Sequence, residues 1–555
     1  MSESAQSRNG GRILVDALVS NGVDTVYCVP GESYLPVLDA LHDAQSVRTI
    51  TTRHEGAASN MADAYGKLTG RPGICFVTRG PGATHASNGV HTACEDSTPM
   101  ILFVGQVEQN FIGRGAFQEV DYKQMFGGLA KWVTQIDSTE RIPEIVSKAF
   151  NVALSGRPGP VVIALPEDVL FGSAAVADAP AVRIAHAAPE PQALDELRTL
   201  LERASRPLVV VGGTGWDGDA CSALKRFVHA NNLPVAASFR RQDLFDNRDE
   251  HYVGQLGLGV SPKLLARTRD ADLLIVIGSR LGENTSSSYT LFEIPSPRQA
   301  MVHVHPDAEE LGRVYQARLP ILASLRAFAL SLDRVEPIEA AVQQRWQAWT
   351  ETARADYVAH SSPPAPSADI KGVDLAQVVA HLNDVLPEDA VIANGAGNYT
   401  GWVHRYYRYR SPATELAPTN GAMGYGFPAA IAAKLRNPKR SVVCFAGDGC
   451  FMMYPQELAT AVQFGAPLTV IVVNNGIFGT IRMHQEREYP GRISATELRN
   501  PDFVAMARAF GAHAERVERT EDFAAAFERA QAAGVPALIE LMTDPLQITP
   551  VSRLS

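Results

Sequence analysis

Two fragments near the end of the chain carry residue types that hold a hard cation: Gly447-Asp448-Gly449, and then, after 24 intervening residues, Asn474-Asn475. Asp448 follows the apolar run 441–447 and Asn475 lies just past the run 468–473, both read as strands. In an open parallel sheet, ligands gather outside the carboxyl ends of the strands. The spacing equals about one strand–helix–strand crossover, so it predicts Asp448 and Asn475 side by side. A carboxylate and an amide oxygen suit Mg²⁺, which is commonly shared with phosphate oxygens. Gly447 and Gly449 let backbone amides approach an anion at the start of the following helix, where Cys450 also falls. Each fragment alone reads as a turn or a strand end; their combination on these elements reads as a site.

Three further segments have the composition of a site. The strand-like run 47–52 leads through Arg53-His54-Glu55-Gly56 into a helix, so Glu55 stands at a helix start, a position that favours an acid through the helix dipole alone. In Asn420-Gly421-Ala422-Met423-Gly424, small residues surround one bulky apolar side chain, as suits a backbone lying close to a ligand. Gly397-Asn398-Tyr399 precedes it, and Pro30-Gly31-Glu32 lies near the amino end.

These segments must be held by a large scaffold. With 555 residues the chain exceeds a single core, and about three or four domains are expected. Ala/Pro-rich stretches at 173–192 and 361–368 divide it into 1–175, 190–360 and 369–555. In each third, short β-branched runs alternate with amphipathic stretches, which predicts an α/β protein of three doubly wound parallel-sheet domains. No internal repeat is visible at the residue level. The net charge of −10 offers no basic surface for nucleic acid. The six cysteines are scattered without a CxxC pair, as in a reduced cytoplasmic protein. No apolar run reaches the roughly 18 residues of a membrane span, and the amino end lacks the apolar core of a signal peptide.

The segment 447–475 resembles the diphosphate-binding signature of thiamine-diphosphate enzymes, and the whole chain is most similar to the acetolactate (acetohydroxyacid) synthase large-subunit family. The resemblance implies pyrimidine-binding, central and diphosphate-binding domains in that order. It makes Asp448 and Asn475 side-chain ligands of Mg²⁺ and Ile477 a carbonyl ligand, with Gly31, Gly397, Asn398, Tyr399, Gly449 and Cys450 around the cofactor. Glu55 would hydrogen-bond the aminopyrimidine ring and promote the tautomer that deprotonates the thiazolium carbon. Met423 would wedge between the two rings, and the Gly421 carbonyl would accept from the 4′-amino group. Ala116-Phe117-Gln118-Glu119-Val120-Asp121 matches an active-site stretch, with Gln118 on a reacting carbonyl, Phe117 as a pocket wall and Lys131 following it.

The implied reaction is decarboxylation of a 2-oxo acid and carboligation to a second carbonyl acceptor. A simple non-oxidative decarboxylase or hydroxy-ketone lyase is the alternative, but its relatives place adjacent histidines in the pocket, and no His-His pair occurs here. A regulatory protein using Gly212-Gly213-Thr214-Gly215 is a reading of another class. The resemblance also implies a homodimer or homotetramer, with Glu55 and Asp448 contributed by different subunits. Departures stand out. Where relatives carry Arg-Phe-Asp-Asp-Arg, linked to FAD and to a substrate carboxylate, this chain has Arg280-Leu281-Gly282-Glu283-Asn284. His484 replaces a tryptophan and Glu32 a glycine. FAD is therefore not expected to be held tightly.

Overall fold

Leu208, Val210, Leu274 and Val276 point into one hydrophobic core, while Val209, Val211, Ile275 and Ile277 point into another. Continuously apolar strands that feed two cores belong to a sheet covered on both faces. The computed structural model describes residues 6–366 and 369–554 and contains three such six-stranded parallel sheets. The first five residues of the polar amino end, residues 367–368 of the second Ala/Pro-rich stretch, and Ser555 lie outside the described residues.

The first sheet comprises β1 (Thr25–Cys28), β2 (Arg48–Thr51), β3 (Gly73–Val77), β4 (Met100–Gln106), β5 (Trp132–Gln135) and β6 (Pro160–Pro166), in the order β2-β1-β3-β4-β6-β5. The second comprises β7 (Pro207–Val211), β8 (Val235–Ala237), β9 (Tyr252–Gln255), β10 (Leu273–Ile277), β11 (Ala300–His305) and β12 (Leu319–Leu322), in the order β9-β8-β7-β10-β11-β12. The third comprises β13 (Val391–Asn394), β14 (Glu415–Leu416), β15 (Val442–Gly447), β16 (Thr469–Asn474), β17 (His513–Val517) and β18 (Ala537–Met542), in the order β14-β13-β15-β16-β18-β17. The first and third sheets thus share one strand order, a repetition of topology that leaves no trace in the residues. Each has its switch point between its first and third strands, where crevices for ligands open.

The chain divides into two compact units. One holds residues 1–185 with the segments Phe427–Pro438 and Tyr454–Ala466; the other holds the remainder, including the second and third sheets. The expected strands agree with those observed to within a residue or two. The stretch 173–192 is less free than its composition suggests. Ser173–Ala174 pairs antiparallel with Arg8–Asn9, and Pro191 opens the helix Pro191–Arg203. Between β15 and β16 the chain forms the helix Glu457–Gln463. Among the described residues, no helix is long and apolar enough to cross a membrane.

Within the first unit, helices α1 (Glu55–Thr69) and α2 (Gly80–Asp96) pack with almost no space between them. A Cβ on Gly89 would lie 2.2 Å from Ser59 Oγ and 2.6 Å from the Ser59 carbonyl carbon. Backbone so close cannot yield cheaply. Gly89→Ala is expected to destabilise the protein by about 1–3 kcal/mol, read as a lowered thermal unfolding midpoint. Gly218→Ala, at a helix start with open space around it, is expected to leave the midpoint unchanged.

Candidate active site

The third sheet ends in a cavity of ≈ 260 Å³. The parallel register sets Asn394 opposite Phe445 and Gly447 opposite Val473. The chain therefore leaves β13, β15 and β16 at one level, and the segments that follow converge on the switch point. Gly397, Asn398 and Tyr399 line the cavity after β13; Asp448, Gly449 and Cys450 line it after β15; Asn475 and Ile477 line it after β16. Gly421 and Met423 close another side, with Met423 also packed against the third domain's core.

Asp448 is buried, with 3 % of its surface exposed. Its Oδ2 accepts from Gly476 N at 2.9 Å and Asn500 Nδ2 at 2.8 Å, and its Oδ1 from Gly449 N at 2.8 Å. Burial pushes the carboxyl above its ordinary pKa, against the pull of these donors. The two asparagines of the 474–475 pair have separate tasks. Asn474 Nδ2 donates to Glu540 Oε1 at 2.7 Å, and its Oδ1 accepts from Asn500 Nδ2 at 3.0 Å, so its side chain serves the protein interior. Asn475 Oδ1 accepts from Ile477 N at 3.2 Å at the cavity wall. Glu540 is anchored in turn by Arg516 Nε at 2.8 Å. Asn500 and Glu540 carry no motif of their own.

Tyr399 lies across the glycines instead of offering its hydroxyl to the cavity. Its ring atoms come within 3.0 Å of where a Cβ on Gly447 would stand, and its hydroxyl accepts from Gly395 N at 3.1 Å and donates to Cys450 Sγ at 3.3 Å. That sulfur also accepts from Gly424 N at 3.1 Å. Asn398 Oδ1 accepts from Thr480 Oγ1 at 2.9 Å. From the central domain, buried Arg240 donates to the carbonyls of Gly395 and Pro418, tying down the two loops that supply Gly397 and Gly421.

Glu55, Gly31, Phe117 and Gln118 belong to the first unit, and Glu55, Gly31 and the Gln118 backbone lie around the switch point of the first sheet. Glu55 opens α1 after β2, with His54 as the capping residue whose Nδ1 accepts from Gly56 N. Gly31 follows β1, and a Cβ there would strike Thr78, just past β3. Gly82, in the first turn of α2, faces Glu55, whose Oε1 is 3.6 Å from the position of its absent Cβ. Gln118 reaches this corner through its backbone: it sits at φ 65°, and its carbonyl accepts from Gly80 N at 3.1 Å. Phe117 is 74 % exposed.

Three other residues marked out by the sequence have different surroundings. Lys131 Nζ donates to the carbonyls of Val152, Ser155 and Arg157, closing the end of the helix Ile142–Leu154. His484 is exposed beside Arg487. Arg280 pairs with buried Glu310 at 3.0 Å. The sequence has no adjacent histidines, yet the rings of His54 and His85 stack with centroids 4.6 Å apart.

Comparison with known proteins agrees with this geometry. Residues 8–125 match the N-terminal TPP binding domain of thiamine pyrophosphate enzymes, 194–332 the central domain and 395–541 the C-terminal TPP binding domain. The chain is 35 % identical to the acetolactate synthase large subunit of Parasynechococcus marenigrum, over 94 % of this chain and 86 % of that protein. It is 31 % identical to the acetolactate synthase isozyme 2 large subunit of Escherichia coli, over 97 % and 96 % respectively. A probable acetolactate synthase large subunit of Methanocaldococcus jannaschii is 30 % identical over 98 % and 93 %. Domain matches and full-length similarity agree: the chain belongs to the acetolactate synthase large-subunit family of thiamine pyrophosphate enzymes.

Proposed function

We propose that this protein decarboxylates a 2-oxo acid and joins the remaining fragment to a second carbonyl compound, using thiamine diphosphate and Mg²⁺. The observation that carries the reading is the buried Asp448 carboxylate at the mouth of β15, beside Asn475 and Ile477. Such a carboxylate is costly in a cavity unless donors or a cation meet it, and with one donor on Oδ1 that oxygen retains acceptor capacity for a cation. Carboxylate, amide and carbonyl oxygens form a donor set for a hard divalent ion, and Gly449 at a helix start gives an anion close access to backbone amides.

When bound, thiamine diphosphate supplies a thiazolium carbon that stabilises the carbanion left by loss of CO₂. The chain's own residues hold and orient. Asp448, Asn475 and Ile477 would hold the metal at the diphosphate end of the cavity. Met423 and Gly421 shape the cavity wall, and Glu55 shares a proton with the pyrimidine nitrogen. The reading includes a homodimer or homotetramer in which the Asp448 cavity is met by the partner subunit's Glu55. Gln118 and Phe117 would face the substrates there. Tight FAD binding and a redox role for it are not expected in this reading, because Asn284 stands where relatives carry an arginine.

A product screen by mass spectrometry across 2-oxo acids paired with aldehydes and second 2-oxo acids tests the reaction. Carboligated 2-hydroxy-ketones or acetohydroxy acids are expected, and release of the free aldehyde alone would overturn the reading. Asp448→Ala is expected to abolish Mg²⁺-dependent binding of thiamine diphosphate in calorimetry, since the metal loses its charged ligand. Near-wild-type affinity would remove Asp448 from the site. Glu55→Gln keeps the shape of the side chain but not its exchangeable carboxyl proton. Hydrogen–deuterium exchange at the cofactor C2, read by NMR after acid quench, is expected to slow by about 10²–10⁴-fold, with cofactor affinity changed far less.

A further inference from the structure

Helix α2 turns one face toward the start of α1, and that face reads Gly82, His85, Gly89, a spacing of three and then four residues. The two glycines let the helices touch: Gly89 lies against Ser59, and Gly82 against Glu55. Between them the approach brings His85 Nδ1 to 2.8 Å from Glu55 Oε2.

The imidazole is held from behind. Its ring stacks on that of His54 at 28° between planes, and His54 is backed edge-on by Tyr454 at 5.2 Å. His54 cannot rotate freely, because its Nδ1 accepts from Gly56 N at 3.0 Å. Burial, and then the neighbouring His85, lower the His54 pKa against the pull of Glu55. Tyr34 and Cys75 also lie near Glu55, but burial holds both in their protonated forms. Among the described residues, His85 is the side chain that hydrogen-bonds Glu55. The Glu55 side chain is 14 % exposed, whereas that of His85 is 53 % exposed, so the bond runs from the solvent side of the pair onto a largely covered carboxyl.

We propose that His85 is a positioning residue for Glu55: its Nδ1–H holds Oε2 and so presents Oε1, on the Gly82 side, to the pyrimidine nitrogen. The assignment rests on the reading of Glu55 as the carboxyl that shares a proton with the cofactor. A donor held on Oε2 fixes the orientation of the carboxyl, so that Oε1 meets the ring nitrogen in one geometry. The proton that moves is the one Glu55 shares with the ring nitrogen; the imidazole keeps its Nδ1 hydrogen throughout.

Two measurements on the full-length protein test it. In ¹⁵N-histidine-labelled protein, imidazole NMR at neutral pH is expected to show His85 protonated at Nδ1, its signals identified by their loss in His85→Asn. A bare Nδ1 with the hydrogen on Nε2 would overturn the proposal. With thiamine diphosphate and Mg²⁺ bound, His85→Leu is expected to slow C2 exchange about tenfold, the order of one hydrogen bond to a charged group. His85→Asn, which retains a donor, is expected to recover most of that loss. Exchange at the wild-type rate in His85→Leu would likewise overturn it. If Glu55→Gln exchanged as fast as wild type, the Glu55 reading would fail by itself, and the tautomer would still decide the pairing.

Discussion

A carboxylate taken out of water is costly unless donors or a cation surround it, and the third domain is organised around that constraint at Asp448. The parallel register of β15 and β16 brings the 474–477 turn to the aspartate, so that Gly476 N reaches Oδ2. Gly476 adopts φ 69°, which a side chain would disfavour. Gly449 has Phe478 within 2.6 Å of where a Cβ would stand, and its amide takes Oδ1. Asn500 then bridges Asp448 and Asn474. The turn, both glycines and the distant amide converge on one buried charge, and Asn475 is thereby left at the cavity wall.

The same topological device serves both ends of the chain. The first and third sheets place their chemistry-bearing residues beside the switch point between the first and third strands. Glu55, Gly31 and Gly82 lie at one such point, and Asp448, Asn398 and Gly421 at the other. The second sheet has a different order, and its conspicuous glycine run is occupied by the protein itself. A Cβ on Gly212 would lie 2.1 Å from Ser238 Oγ, and one on Gly213 would lie 2.3 Å from the Gly278 carbonyl. Those two glycines serve packing within the sheet's own loops.

What the sequence made legible was local. Runs such as Pro207–Val211 declare themselves as strands because three valines follow a leucine in an unbroken apolar stretch. The Asp448–Asn475 spacing could be interpreted because one crossover joins them. Residues whose importance depends on packing were not legible. Asn500 meets Asp448 from 52 positions away, and His85 meets Glu55 from a separate helix. Lys131 has the type and place of an active-site lysine, yet its ammonium is taken by three carbonyls at a helix end. The stretch 173–192 looked like a free linker because the strand that pins its start, Arg8–Asn9, lies at the far end of the chain. Strand order escaped altogether, since apolar runs do not say which neighbour they choose.

Arg240 adopts φ 60°, a backbone conformation rare for a residue with a side chain, and from there its guanidinium spans the Gly395 and Pro418 carbonyls. The central domain thus has a rigid strut inserted behind both glycine loops of the cavity, although Arg240 itself is not among the residues lining it. Laboratory evolution toward altered acceptors would accordingly select changes around Phe239–Arg241 as well as at the cavity wall. Such variants would reshape the pocket from behind, in a domain that a search confined to ligand contacts would pass over.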